Sequence, residues 1–164
     1  MRLRLAFAAA ALLLFAPPAS MNAQTAVYAQ VTGQSNDLGQ GNGYFWGPTF
    51  GIYQDRHSVA LLHVGLDARG SILKRNNTTI GSGLAGVRAS LVPHILPVKV
   101  YAEALGGASF STTNSFQYQV NGGVEYTLLP HIDWRVVEVA YNGYSGGNSG
   151  NPVGLSSGIV FRLF

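Results

Sequence analysis

The 164-residue sequence has no cysteine. That excludes disulfide staples, cysteine-based zinc sites and thiol nucleophiles. Charge is scarce: Asp, Glu, Lys and Arg make up 10% of the chain, and lysine occurs only at Lys74 and Lys99. A soluble barrel of this size would normally cover its outside with Lys and Glu, so the low count argues against that class. No Lys/Arg cluster supports nucleic-acid binding. Beyond residue 23 no apolar run reaches the length of a membrane helix, about 20 residues. Nor does any segment there show helical apolar spacing.

The N-terminus reads differently. Arg2 and Arg4 precede the run LAFAAAALLLFA, which stops at Pro17-Pro18 and is followed by small residues and MNAQT. This is a charged n-region, a short h-region and a cleavage site near Ala23. Residues 1–23 are thus read as a cleavable signal peptide, and 24–164 as the exported domain. Ten Lys+Arg less Arg2 and Arg4 leave eight, against seven Asp+Glu. The mature chain would then carry a net charge of +1, and the basic balance of the full chain carries no information about partners.

What remains has a two-residue period. In FQYQVNGGVEYTL, from Phe116 to Leu128, Phe116, Tyr118, Val120, Val124, Tyr126 and Leu128 lie on one face. Gln117, Gln119, Asn121, Glu125 and Thr127 lie on the other. Seven further segments alternate likewise, starting at Thr25, Tyr44, Val59, Ser82, Val98, Trp134 and Leu155. Gly/Asn/Ser clusters separate them, the pattern of an all-β chain. In the seventh the alternation slips at Val136-Val137, and a β-bulge there would place Arg135 and Glu138 on one side. The connections after the odd strands (SNDLGQGNG, KRNNTTIG, STTN, NGYSGGNSGNPVG) are mostly long, and those after the even strands (DRHS, PHILP, LPHI) are short. This predicts an eight-stranded antiparallel up-and-down transmembrane β-barrel with short periplasmic turns.

Orientation decides the class, because a soluble ligand-binding barrel also alternates, with its apolar face inward. Here the polar face carries a nearly balanced charge set. Asp67, Glu103, Glu125 and Glu138 stand against Arg69, Arg88, Lys99, Arg135 and Arg162. Eight strands leave an interior that side chains just fill, so these groups are predicted to meet as a lumen network. Aromatics gather near strand ends: Tyr44, Trp46, Phe116 and Tyr141 toward one, Tyr126, Trp134, Phe161 and Phe164 toward the other. That is the arrangement of two interfacial girdles.

The terminal segment SSGIVFRLF places Ser156, Gly158, Phe161 and Leu163 in a polar-x-Gly-x-x-aromatic-x-hydrophobic order, with Phe164 one residue beyond. It resembles the terminal-strand signal read by the outer-membrane barrel assembly machinery. With GLAGVRASL and FQYQVNGGVEYTLLPHIDWRVVEV, the mature chain resembles the small eight-stranded outer-membrane barrels, of the outer membrane protein A transmembrane-domain and outer membrane protein X type. It looks especially like small barrels of acidobacteria. The resemblance implies a monomer in the outer membrane of a Gram-negative cell envelope. It implies outer-membrane lipid as surroundings, and the assembly machinery and periplasmic chaperones as partners in biogenesis. It carries no catalytic residues and no cofactor.

Other motifs weigh less. GSGLAG at 81–86 matches a dinucleotide fingerprint by letter, but it opens a strand and no helix follows. His57, His94 and His131 fall in three different short turns and His63 one strand over, with no closely spaced ligand pair, so no metal is expected. Lipid A-modifying enzymes on such barrels use Ser and His near the outer leaflet, whereas these histidines lie toward the other end, so no catalysis is expected. Lys74 and Arg75 sit where the third strand meets the outer surface and are candidates for lipopolysaccharide phosphate contact. The expected function is structural or surface-interacting. The alternatives are a soluble exported ligand-binding barrel, a narrow channel and a lipid A-modifying barrel.

Overall fold

In the computed structural model the alternating segments form β1 (Gln24–Ser35), β2 (Tyr44–Val59), β3 (Leu62–Arg75), β4 (Thr78–Leu91), β5 (Val98–Phe110), β6 (Ser115–Leu129), β7 (Ile132–Ser145) and β8 (Val153–Arg162). The structure describes residues 24–35, 43–59, 61–93, 96–111, 114–145 and 151–163, with the side chains of 56–59 outside that description. The segment read as a signal peptide, His94, Phe164 and the side chain of His57 therefore lie outside the described residues.

Each strand pairs antiparallel with the next, and β1 pairs with β8, so the sheet closes into a barrel. Closure removes the edge strands that would otherwise template association. The closing seam runs from Ala26 opposite Arg162 to Gln34 opposite Gly154. Beyond it the Leu163 amide donates to the Thr25 carbonyl at 2.8 Å.

Burial follows the two-residue period. Leu66, Val87, Ala104, Val120 and Tyr141 are successive cross-strand neighbours on β3 to β7. All of them face outward and are exposed. Their neighbours along the chain, such as Asp67, Arg88, Glu103 and Asn121, point inward and are buried. The β7–β8 register breaks between Arg135 and Glu138, and both side chains turn inward. This bulge reconciles two inward ionic residues three positions apart.

Three details depart from the sequence reading. The segment KRNNTTIG is not a long loop: β3 and β4 continue to a two-residue turn, Asn76-Asn77. Asn76 has a φ of 50°, a left-handed conformation that asparagine tolerates, so the hairpin can be this tight. The segment DRHS is not a turn either. β2 runs on to Val59, with a register break between Asp55 and His57. Connection length therefore does not divide the ends cleanly, because the β4–β5 link at the opposite end spans residues 92–97. The loop end holds the β1–β2 and β7–β8 connections, and the turn end holds the β2–β3 and β6–β7 turns.

Two glycines show where backbone spacing is tight and where it is free. A Cβ on Gly158 would lie 2.2 Å from the Ala29 carbonyl oxygen, across the closing seam, whereas one on outward-facing Gly83 would meet nothing within 4 Å. Gly158→Ala is expected to destabilise the barrel by about 1–3 kcal/mol through overpacking against backbone. Gly83→Ala is expected to be neutral or to gain about 0.5–1 kcal/mol, the strand-interior cost of glycine. Urea unfolding of both variants in lipid vesicles checks the order, and equal midpoints would count against this seam geometry.

Candidate functional site

The inner face of β3 to β7 carries the largest concentration of buried charge. Arg69 projects from β3, Arg88 from β4, Glu103 from β5, Glu125 from β6, and Arg135 and Glu138 from β7. Their side chains form a closed cycle of alternating charge. Arg69 pairs with Glu138 at 2.8 Å, Glu138 with Arg135 at 3.1 Å, and Arg135 with Glu125 at 2.8 Å. Glu125 pairs with Arg88 at 3.1 Å and Arg88 with Glu103 at 2.5 Å, and a hydrogen bond from Arg69 to Glu103 completes the circuit. Within the cycle every member therefore has two partners of opposite sign.

Buried ion pairs hold only when the geometry is good and the remaining lone pairs and protons are satisfied. Here tyrosines and amides supply part of the remainder, while Arg88 Nε and Glu125 Oε2 have no hydrogen-bond partner among the described residues. The Tyr101 hydroxyl donates to Glu138 at 2.7 Å, and Asn121 donates to Glu103 at 3.0 Å. Gln30 donates to Glu138 at 3.0 Å and accepts from Arg135 at 3.1 Å. The Arg88 guanidinium lies 4.0 Å from the ring centroids of both Tyr53 and Tyr101. The Arg135 guanidinium lies 4.0 Å from that of Tyr28. Such cation–π contacts strengthen once water is excluded. Tyr101 also covers Gly123, where a Cβ would lie 2.4 Å from the tyrosine oxygen, so glycine at 123 makes room for the tyrosine.

Outside the cycle the pairing loosens. Asp67 meets Arg69 at 3.3 Å and accepts from Tyr28 at 3.0 Å. Arg162 pairs with Asp133 at 3.2 Å near the turn end, where its side chain is 23% exposed. Lys99 stands 3.8 Å from Glu125 and 3.9 Å from Asp133. Direct charged contacts are shorter than this. Lys99 is the register neighbour of Glu125, but one oxygen of Glu125 already accepts from Arg88 and Arg135.

The structure thus brings six of the nine sequence-selected ionic residues into one cycle and places Asp67, Lys99 and Arg162 at its margins. Sequence reasoning did not select Asp55 and Asp133, which are buried on the inner wall. Asp55 was assigned to the turn DRHS and Asp133 fell between the turn LPHI and Trp134, although each continues the inward alternation two residues beyond Tyr53 or before Arg135. Tyr28, Tyr53 and Tyr101 were not assigned a part in the network.

The terminal-strand residues divide by face. Ser156 points inward, where its hydroxyl bonds that of Thr32 at 2.9 Å. Gly158 lies at the seam, and Phe161 and Leu163 are exposed outward. Lys74 and Arg75 end β3, and Lys74 is exposed beside its register neighbours Trp46 and Thr79. His63 is half-buried, and His131 is exposed in the β6–β7 turn with a φ of 71°. Among the described residues no group of three or more His, Cys, Asp or Glu is placed to hold a metal ion.

The outside is the reverse of the lumen. Phe50 is 59% exposed, Trp46 58% and Val120 53%. Tyr44, Trp46, Phe110 and Phe116 crowd the loop end and Tyr126, Trp134 and Phe161 the turn end, all exposed. No described acid lies on this surface: Asp55, Asp67, Glu103, Glu125, Asp133 and Glu138 are all buried inside. Among the described residues no helix is long and apolar enough to cross a membrane. The soluble ligand-binding alternative requires an apolar interior and is overturned by this inversion.

No family model and no curated protein matches the sequence. Solved structures do resemble it in fold. Neisserial surface protein A, from Neisseria, superposes with a TM-score of 0.58 at 17% identity, over 89% of this chain and 100% of that one. A de novo designed transmembrane β-barrel superposes with a TM-score of 0.59 at 16% identity, over 88% of this chain and 98% of that one. With its apolar exterior, ionic interior and eight-strand closure, the chain has the fold of the small eight-stranded outer-membrane β-barrels.

Proposed function

We propose that the protein is a monomeric, non-catalytic barrel of the bacterial outer membrane, with a structural or surface-interaction role and a lumen closed by its own side chains. The observation that carries this reading is the Arg–Glu cycle spanning the lumen, inside a wall whose outward side chains are apolar. A conduit would keep its inward charges in water, whereas here Arg88 is 1% exposed and Arg135 0%. Among the described residues, a cavity of about 20 Å³ lies on the loop side of the cycle. The outward band supports outer-membrane lipid as the protein's surroundings, and exposed Lys74 beside Trp46 supports headgroup phosphate contact at the loop end. The terminal strand, with its outward Phe161 and Leu163, supports delivery by periplasmic chaperones to the assembly machinery.

Two measurements test this reading. In the outer-membrane fraction the unheated protein is expected to migrate differently on a gel from the boiled protein, because a closed barrel resists detergent until heated. Recovery in the soluble fraction would reject the membrane assignment. In planar bilayers the purified protein is expected to be silent. Reproducible single-channel steps would instead establish the narrow-channel alternative.

A further inference from the structure

The loop-side cavity of about 20 Å³ lies between the Arg–Glu cycle and an apolar cluster inside the barrel mouth. Its floor includes Arg69 and Glu138, and its lining reaches Leu73. Leu73 packs there with Phe45 and Ile80. The walls between are neutral, made of glutamine amides and Ser/Thr hydroxyls. The hydroxyls bond mainly one another: Thr32 meets Thr49 and Ser156, each at 2.9 Å, and Ser71 meets Ser82 at 2.7 Å.

Two acceptors on this wall have no protein donor. The side-chain oxygens of Gln117 and Gln119 are buried without a hydrogen-bond partner. Gln117 is 3% exposed, and its amide nitrogen donates to Asn142 Oδ1 at 3.0 Å. Exchanging its oxygen and nitrogen would set two acceptors against each other, so the orientation is fixed and the oxygen still needs a donor. A buried carbonyl left unpaired is unfavourable.

We propose that this cavity is a structural hydration site, in which ordered water donates to Gln117 Oε1 and Gln119 Oε1 and contacts the loop-side edge of the ionic cycle at Arg69 and Glu138. The volume suits water, which needs roughly 10–15 Å³ and two to four polar partners. It excludes a sugar or any larger solute, and the Arg69 guanidinium in the floor disfavours a cation. The lumen is then hydrated down to Arg69 and Glu138. On the other side of the cycle Arg88 is shielded by Tyr53 and Tyr101.

The test is water–protein magnetisation transfer by NMR on the full barrel in lipid nanodiscs. Cross-peaks from long-lived water to the Gln117 side-chain amide are expected in the unaltered protein. They should be lost in Gln119→Met, which removes one acceptor and fills the cavity, while heat-modifiable gel mobility is retained. A crystal structure of the unaltered protein resolving solvent should show water at about 3 Å from both glutamine oxygens. The proposal is overturned if the unaltered barrel gives no such cross-peaks, or if both oxygens are found bonded to protein donors with no water between them. These observations do not depend on the variant folding, nor on whether the barrel conducts.

Discussion

Arg88→Ala is expected to lower the stability of the folded barrel by about 3–5 kcal/mol, the cost of breaking a buried ion pair from one side. Arg88 bridges Glu103 at 2.5 Å and Glu125 at 3.1 Å. Its removal opens the cycle and leaves two carboxylates without the charge that separated them. The loss extends to packing, because the guanidinium fills the space between Tyr53 and Tyr101. Replacing Arg88 with Met together with Glu103→Gln should recover part of the loss, since the two changes remove one charge of each sign and leave Glu125 paired with Arg135 and Arg69 with Glu138. Arg162→Ala, which removes a side chain that is partly exposed near the turn end, should cost less than Arg88→Ala. Equilibrium urea unfolding in lipid vesicles reads all three, and an Arg88→Ala midpoint equal to that of the unaltered protein would mean that the cycle contributes nothing.

On the outer wall, Val120→Arg is expected to cost about 2–4 kcal/mol, and Leu128→Arg about 0–1 kcal/mol. Both side chains are exposed on the same face of β6. Val120 lies mid-strand, between Ala104 and Tyr141. Leu128 lies beyond the aromatic Tyr126, close to the turn that carries Pro130 and His131. In water the two substitutions would be nearly equivalent surface changes. In a bilayer the charge at mid-depth must be dragged from hydrocarbon, whereas the one at the interface reaches headgroups and water. Equal costs in vesicles would remove the hydrocarbon from this account, whatever the shape of the barrel.

How much of the site was legible in the sequence depends on how far apart the interacting residues lie. Glu103 and Arg88 are direct register neighbours on adjacent strands, and so are Glu125 and Arg135. Pairs of this kind follow once the strands are in order. The contact of Arg69 with Glu138 joins β3 to β7, strands that do not pair with each other. Asp55 and Asp133 were missed for a different reason. Asp55 stands in DRHS, which reads as a turn, and Asp133 stands between the turn LPHI and Trp134; only the cross-strand ladders place both on strands. The tight Asn76-Asn77 hairpin was hidden in the same way, because NNTT is polar enough to pass for a loop.

The two-residue period by itself determined which side chains share a face, because successive Cβ atoms on any extended chain point to opposite sides. The scarcity of acid and lysine, set beside so many outward-facing aromatics, determined which face meets hydrocarbon. Only the closed tertiary structure decided which arginine meets which glutamate and where tyrosine fits between them. The contacts between strands that do not pair, such as Arg69 with Glu138 and Arg88 with Glu125, depend on the stagger of eight strands closing at once, a quantity that no single strand encodes.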